Sequence, residues 1–179
     1  MNALLAISRA IDAVNDRLGR LANWMILIAC LISAGNAMIR YAFDLSSNAW
    51  LEVQWYLFAG VVMLGASYTL RLNEHVRVDI LYTHLSERGK EWLDLLGAVL
   101  FLIPSTLMIA WLSWPFFHES WTIQEVSTNA GGLLRWPVKI LIPVGFVLLA
   151  LQGVSEIIKR SASLAGAARY ETHYEKPVQ

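Results

Sequence analysis

The residues of this sequence best equipped for chemistry are four histidines, His75, His84, His118 and His173, and one cysteine, Cys30. Imidazoles buried within a helical bundle ligate haem, and two or more His or Cys at regular spacing hold metals. None of the four histidines falls in a long apolar run, and no two stand at ligand spacing, so a haem-bearing or metal-bearing anchor is not expected. A lone cysteine excludes an internal disulfide and the paired-thiol chemistry of a membrane thiol oxidase. The stretch Leu27-Ile28-Ala29-Cys30 has the form of a lipoprotein cleavage site, yet the apolar run continues to Ile39 where a polar tether would follow, so Cys30 reads as a small core residue. There is no glycine-rich phosphate loop, no nucleophile in a recognisable setting and no carboxylate pair inside an apolar segment, so the sequence is not expected to encode an enzyme.

The ionisable groups within or beside the long apolar segments are Glu52, Asp94, Lys139 and Glu156. Each lies about a turn from the end of its segment, where water and headgroups relieve the ~2.5–3.5 kcal/mol insertion cost of a charge at mid-bilayer. A transporter that couples ions by itself needs such a group, or a broken helix, at the midplane. Pro104 and Pro143 are read as packing kinks rather than breaks of that kind.

Hydrophobic residues make up 56% of the 179, charged ones only 16%, and the mean hydropathy is +0.48. Apolar runs of about 20 residues match ~30 Å of hydrocarbon. Four are present, at about 21–39, 50–70, 92–114 and 136–158, the third charge-free from Leu95 to Trp114. The expected fold is an all-α integral membrane protein with four transmembrane helices. Residues 1–20 form a preceding segment, 21–160 the membrane domain and 161–179 a polar cytoplasmic tail. In the first segment Leu4, Ile7, Ile11, Val14, Leu18 and Leu21 recur every three or four residues, opposite Arg9, Asp12, Asp16, Arg17 and Arg20. That period predicts an amphipathic helix lying in the inner interface.

Net charge is zero, with 14 basic and 14 acidic side chains, so no field draws in nucleic acid. The placement of charge orients the chain. The N-terminal segment, the connection between the second and third spans, and the tail hold eleven Lys and Arg, against one each, Arg40 and Arg135, in the other two loops. Retention of positive loops gives both termini inside (N-in/C-in). Trp24, Trp50, Trp92, Trp114 and Trp136 stand near the span ends, where indoles favour the headgroup region. Ala29, Ser33 and Ala37 form a ridge along which a second helix, internal or foreign, can approach closely.

Two loops carry candidate contacts. After the second span, Arg71, His75, Arg77 and Asp79 read either as retention charge around a turn or as a surface pairing internally or with a partner. The loop from Pro115 to Arg135 is long and carries Glu125 and Gly131-Gly132, and reads as a polar connection or a meeting place for a periplasmic protein.

Trp50 with Glu52, Leu64-Gly65-Ala66, the run His75-Val76-Arg77-Val78-Asp79, Trp136-Pro137, Pro143 with Gly145-Phe146, and Leu151-Gln152-Gly153 together resemble the small, DctQ-like membrane subunit of tripartite ATP-independent periplasmic (TRAP) transporters, over about residues 22–159. The resemblance implies a non-catalytic permease subunit of the bacterial inner membrane. It would scaffold a large membrane subunit that holds the sodium and substrate sites, while a periplasmic solute-binding protein delivers an organic acid. It also implies structural or interface roles for Glu52, Arg71, His75, Arg77 and Asp79, with Lys139 a snorkelling anchor or a salt bridge to the large subunit. This chain would bind no cofactor; its partners would be those two proteins and membrane lipids. The competing expectation is a stand-alone homo-oligomeric channel or exporter with Glu52 lining its pathway.

Overall fold

The computed structural model describes residues 2–45, 47–75 and 85–166, and within them the chain is helical apart from its connections. α1 runs from Asn2 to Phe43, α2 from Asn48 to Leu72, α3 from Glu87 to Gly97, α4 from Ile103 to Thr122, α5 from Trp136 to Lys139 and α6 from Leu141 to Leu164. A π-helical turn, Ala98–Leu102, joins α3 to α4, and Ile140 alone separates α5 from α6. Four helices are therefore long and apolar enough to cross a membrane: Asn2–Phe43, Asn48–Leu72, Glu87–Thr122 and Trp136–Leu164.

α6 is the central helix. It packs against α1 and α2 on one side and against α3 and α4 on the other, while α1 and α2 form an extensive antiparallel pair. The interior is made of small and polar side chains: Ala22, Ala29, Ala98, Ala110, Ala150 and Ala162 are buried, and the largest fully buried side chains are Gln152 and Asn15. The large apolar residues face outward, among them Trp111 at 80% exposure and Phe101 at 74%. A soluble domain does the reverse. Between helices in lipid there is no hydrophobic gain, because acyl chains are as apolar as leucine, so close backbone approach and hydrogen bonding select the interior.

Gly145 shows the closeness required. A Cβ built there would lie 2.7 Å from the carbonyl oxygen of Met63 and 2.9 Å from its Cβ, so α6 crosses α2 at backbone contact. Gly145→Val is expected to force the two helices apart at about 1–3 kcal/mol. Gly97→Ala meets nothing within 4 Å and is expected to be neutral. Detergent-titrated unfolding of the two variants checks the contrast.

Pro104 explains the π turn. It lacks an N–H and its ring collides with the carbonyl four residues back, so the backbone widens before it. The hydroxyl of Ser105 donates to the Phe101 carbonyl at 2.6 Å, and that of Thr106 to Leu102 at 2.7 Å, which satisfies groups the wide turn frees. Pro143 falls in the first turn of α6, where little intrahelical bonding is lost.

α1 departs from the sequence reading in its continuity. The amphipathic segment is the first five turns of the same 42-residue helix that forms the first span, with no break before Leu21. Its apolar side, including Leu4, Ile7, Val14 and Leu21, is exposed, whereas Ser8, Asn15, Gly19 and Ala22 are buried against neighbouring helices. Of the ridge Ala29, Ser33 and Ala37, only Ala29 is buried; Ser33 and Ala37 lie open on the surface.

Candidate functional site

Charged and polar groups gather at the two ends of the bundle. At the end formed by the start of α2 and the connection between α4 and α5, the centre is Glu52. It stands in the first turns of α2 and is 2% exposed. One carboxylate oxygen accepts from the Ser127 hydroxyl and from Asn129 Nδ2 at 2.8 Å; the other accepts from the Leu133 backbone N–H at 2.7 Å. Asn48 Nδ2 donates to the Ala130 carbonyl at 3.2 Å and the Tyr56 hydroxyl to that of Leu134 at 2.8 Å. Three side chains at one-turn intervals on one face of α2 thus hold the loop down. The loop closes on itself through an antiparallel bridge of Val126 with Leu134, and it turns at Gly131, whose φ of +70° suits a residue without Cβ.

Lys139, on α5, pairs with Glu125 and sets its ammonium 3.9 Å from the centre of the Phe116 ring. Arg135 approaches the same carboxylate at 3.6 Å. Hydrogen bonding to Lys139 chiefly, with the charges of Lys139 and Arg135 adding, holds Glu125 below the ordinary glutamate value of 4.5. A depressed carboxylate stabilises the fold above its ordinary value and ceases to do so as pH falls through the lowered one. The loop is therefore expected to stay closed to a pH below 4.5. A 13C-carboxylate titration of Glu125 checks this, and Lys139→Met is expected to move the midpoint upward.

At the other end, α1 is stitched to α2 and α6. Ser67 donates to Asn15 Oδ1 at 3.0 Å, Asn15 Nδ2 donates to Gln152 Oε1 at 2.6 Å, and Gln152 Nε2 donates to Asp12 and to Glu156, each at 3.0 Å. Lys159 closes the chain between Asp12 at 2.9 Å and Glu156 at 2.7 Å, and the hydroxyls of Ser8 and Ser155 meet at 2.7 Å. Asp16 pairs with Arg71; Arg160 reaches Asp94 at 2.6 Å, and Ser163 donates to Glu91 at 2.6 Å. These contacts join all four long helices. A buried polar network is favourable only when its members find partners, and the shared acceptors here provide them for Asn15, Gln152 and Lys159.

Of the residues singled out from sequence, Glu52 and Lys139 fall in the cluster around the α4–α5 loop and Arg71 in the one at the opposite end. Arg71 meets Asp16 of α1 rather than His75, which lies exposed past the Asn73 cap of α2. Arg77 and Asp79 lie outside the described residues. Sequence reasoning named Gln152 only as part of a motif, and missed Asn15, Ser67, Lys159 and the loop residues Ser127 and Asn129. One signal existed: Ser8, Asp12, Asn15, Gly19 and Ala22 recur at intervals of three and four, a stripe of small and polar residues on one helix face. Among the described residues no group of His, Cys, Asp and Glu is arranged to hold a metal.

Residues 29–163 match the family model described as tripartite ATP-independent periplasmic transporters, DctQ component. No curated protein and no solved structure matches the chain at a significant level. The match takes in the whole Glu52 cluster, Arg71 and the α6 half of the network at the opposite end, on four helices fit to span a membrane. The chain belongs to the DctQ family, and is a small, non-enzymatic membrane component of an inner-membrane TRAP transporter.

Proposed function

We propose that the chain is the fixed membrane scaffold of its transporter, with the large subunit carrying the sodium and substrate sites and moving against it, and with a periplasmic binding protein supplying an organic acid. Family membership implies a complex with a large membrane subunit and a periplasmic binding protein. The observation that carries the scaffold reading is the use of Glu52, Lys139, Asp12, Lys159 and Arg160 as ties between elements of this chain. Glu52, spent on three loop donors and almost fully covered, is poorly suited to line a pathway, which argues against the stand-alone channel. The open faces of Ser33 and Ala37 on α1 suit close approach by a foreign helix.

In this reading both termini are cytoplasmic, as the eleven inner Lys and Arg require. α1, about 63 Å long at 1.5 Å per residue, exceeds the ~30 Å hydrocarbon core, so its N-terminal part extends past the core into the inner headgroup region with Leu4, Ile7 and Val14 toward lipid. Uptake into proteoliposomes tests the division of labour. The chain alone is expected to transport nothing under a sodium gradient, and the chain with its large subunit and binding protein to transport an organic acid. Transport by the chain alone would refute the proposal.

A further inference from the structure

Beside the Glu52 cluster lies a cavity of about 430 Å³ whose wall changes character along its length. At the loop end it is lined by Glu52, Arg135 and Lys139; further along α2 and α6 it is lined by Ala59, Met63 and Ile142. From Glu52 to Met63 is about 16 Å along a helix, so the apolar wall runs well into the hydrocarbon from a polar mouth. Arg135 at the mouth directly precedes Trp136, whose ring meets that of Trp121 edge to face at 4.5 Å, an aromatic pair in keeping with the headgroup zone.

The cations at the mouth are not equivalent. Lys139 is engaged by Glu125 and by the Phe116 ring, and both oxygens of Glu52 are taken by the loop. Arg135 makes no side-chain hydrogen bond among the described residues; its nearest carboxylate oxygen is 3.6 Å away and its side chain is 40% exposed. A guanidinium with free donors at the lip of an apolar slot complements a phosphodiester whose acyl chain follows the slot, since Arg binds phosphate through paired N–H groups. Glu52 and Glu125 balance Lys139 and Arg135 in charge, and the loosely held guanidinium of Arg135 is the cation there left to meet a phosphodiester.

We propose that this cavity is a phospholipid site of the outer leaflet, with Arg135 binding the lipid phosphate and the wall of Ala59, Met63 and Ile142 seating one acyl chain. The proposal rests on the four-span membrane reading but not on which solute is carried. The test is native mass spectrometry of the delipidated transporter complex titrated with dioleoyl phosphatidylglycerol or with dioleoylglycerol, which has the same chains and no phosphate. The phospholipid is expected to bind roughly tenfold more tightly than dioleoylglycerol. Arg135→Gln is expected to abolish that preference, and Ala59→Trp, which fills the apolar wall, to weaken both lipids. Recovery of the large subunit with each variant shows that the fold and assembly persist, so loss of the complex is distinguishable from loss of the lipid. Equal binding of the two lipids, binding unaffected by both substitutions, or displacement of the lipid by inorganic phosphate alone would overturn the proposal.

Discussion

Glu52→Ala is expected to free the loop between α4 and α5 and to reduce the recovered transporter complex on the order of tenfold, because three donors lose their acceptor at once. The Ser127 hydroxyl, the Asn129 amide and the Leu133 N–H all converge on this one carboxylate. Glu52→Gln is expected to do nearly as badly. Its amide places an NH2 against either the Leu133 N–H or the Ser127 and Asn129 donors, and a donor facing a donor is no replacement for an acceptor. Hydrogen exchange of residues 123–135 reads the effect directly. Faster exchange confined to that loop in both variants supports the clamp, and unchanged exchange with lost transport would assign Glu52 to a pathway instead.

The second large effect is expected at Gln152. It is fully buried and stands at the crossing of the network that joins α1, α2 and α6, accepting from Asn15 and donating to Asp12 and Glu156. Gln152→Leu keeps the volume but orphans the Asn15 amide and removes a donor from two carboxylates. Orphaned buried polar groups cost about 1–3 kcal/mol, whereas hydrogen bonds between membrane helices average ~0.6 kcal/mol. The cost here is expected near ~2 kcal/mol, because the acids Asp12 and Glu156 share a single lysine. Gln152→Glu is expected to be worse at neutral pH, since it adds a third carboxylate around Lys159. Detergent-titrated unfolding ranks the variants, and equal stability of wild type and Gln152→Leu would show that the network does not hold α1 in place.

The four spans were legible because length and hydrophobicity are local properties of the sequence, and lipid imposes a length on any crossing helix. The partners of Glu52 were not legible in the sequence, since Ser127, Asn129 and Leu133 lie 75 to 81 positions away and carry no periodic signal. The reading of α1 shows a different limit. The period placed Asp12 and Asp16 opposite the apolar face and named no partner for them. They turn inward to Lys159 and Arg71, because in a membrane the apolar face is the one turned toward the solvent. The continuity of α1 past Leu21 was hidden for a related reason: a change from amphipathic to uniformly apolar composition marks a change of surroundings without marking a break in the helix.

The central claim is that this chain supports a larger membrane partner rather than transporting alone. Its most direct test is a mild-detergent pull-down of the tagged chain from its native membrane, with mass spectrometry of what copurifies. One large hydrophobic subunit recovered in fixed ratio to the chain is the predicted result. A homo-oligomer of this chain without any such subunit, active in transport after reconstitution, would contradict it.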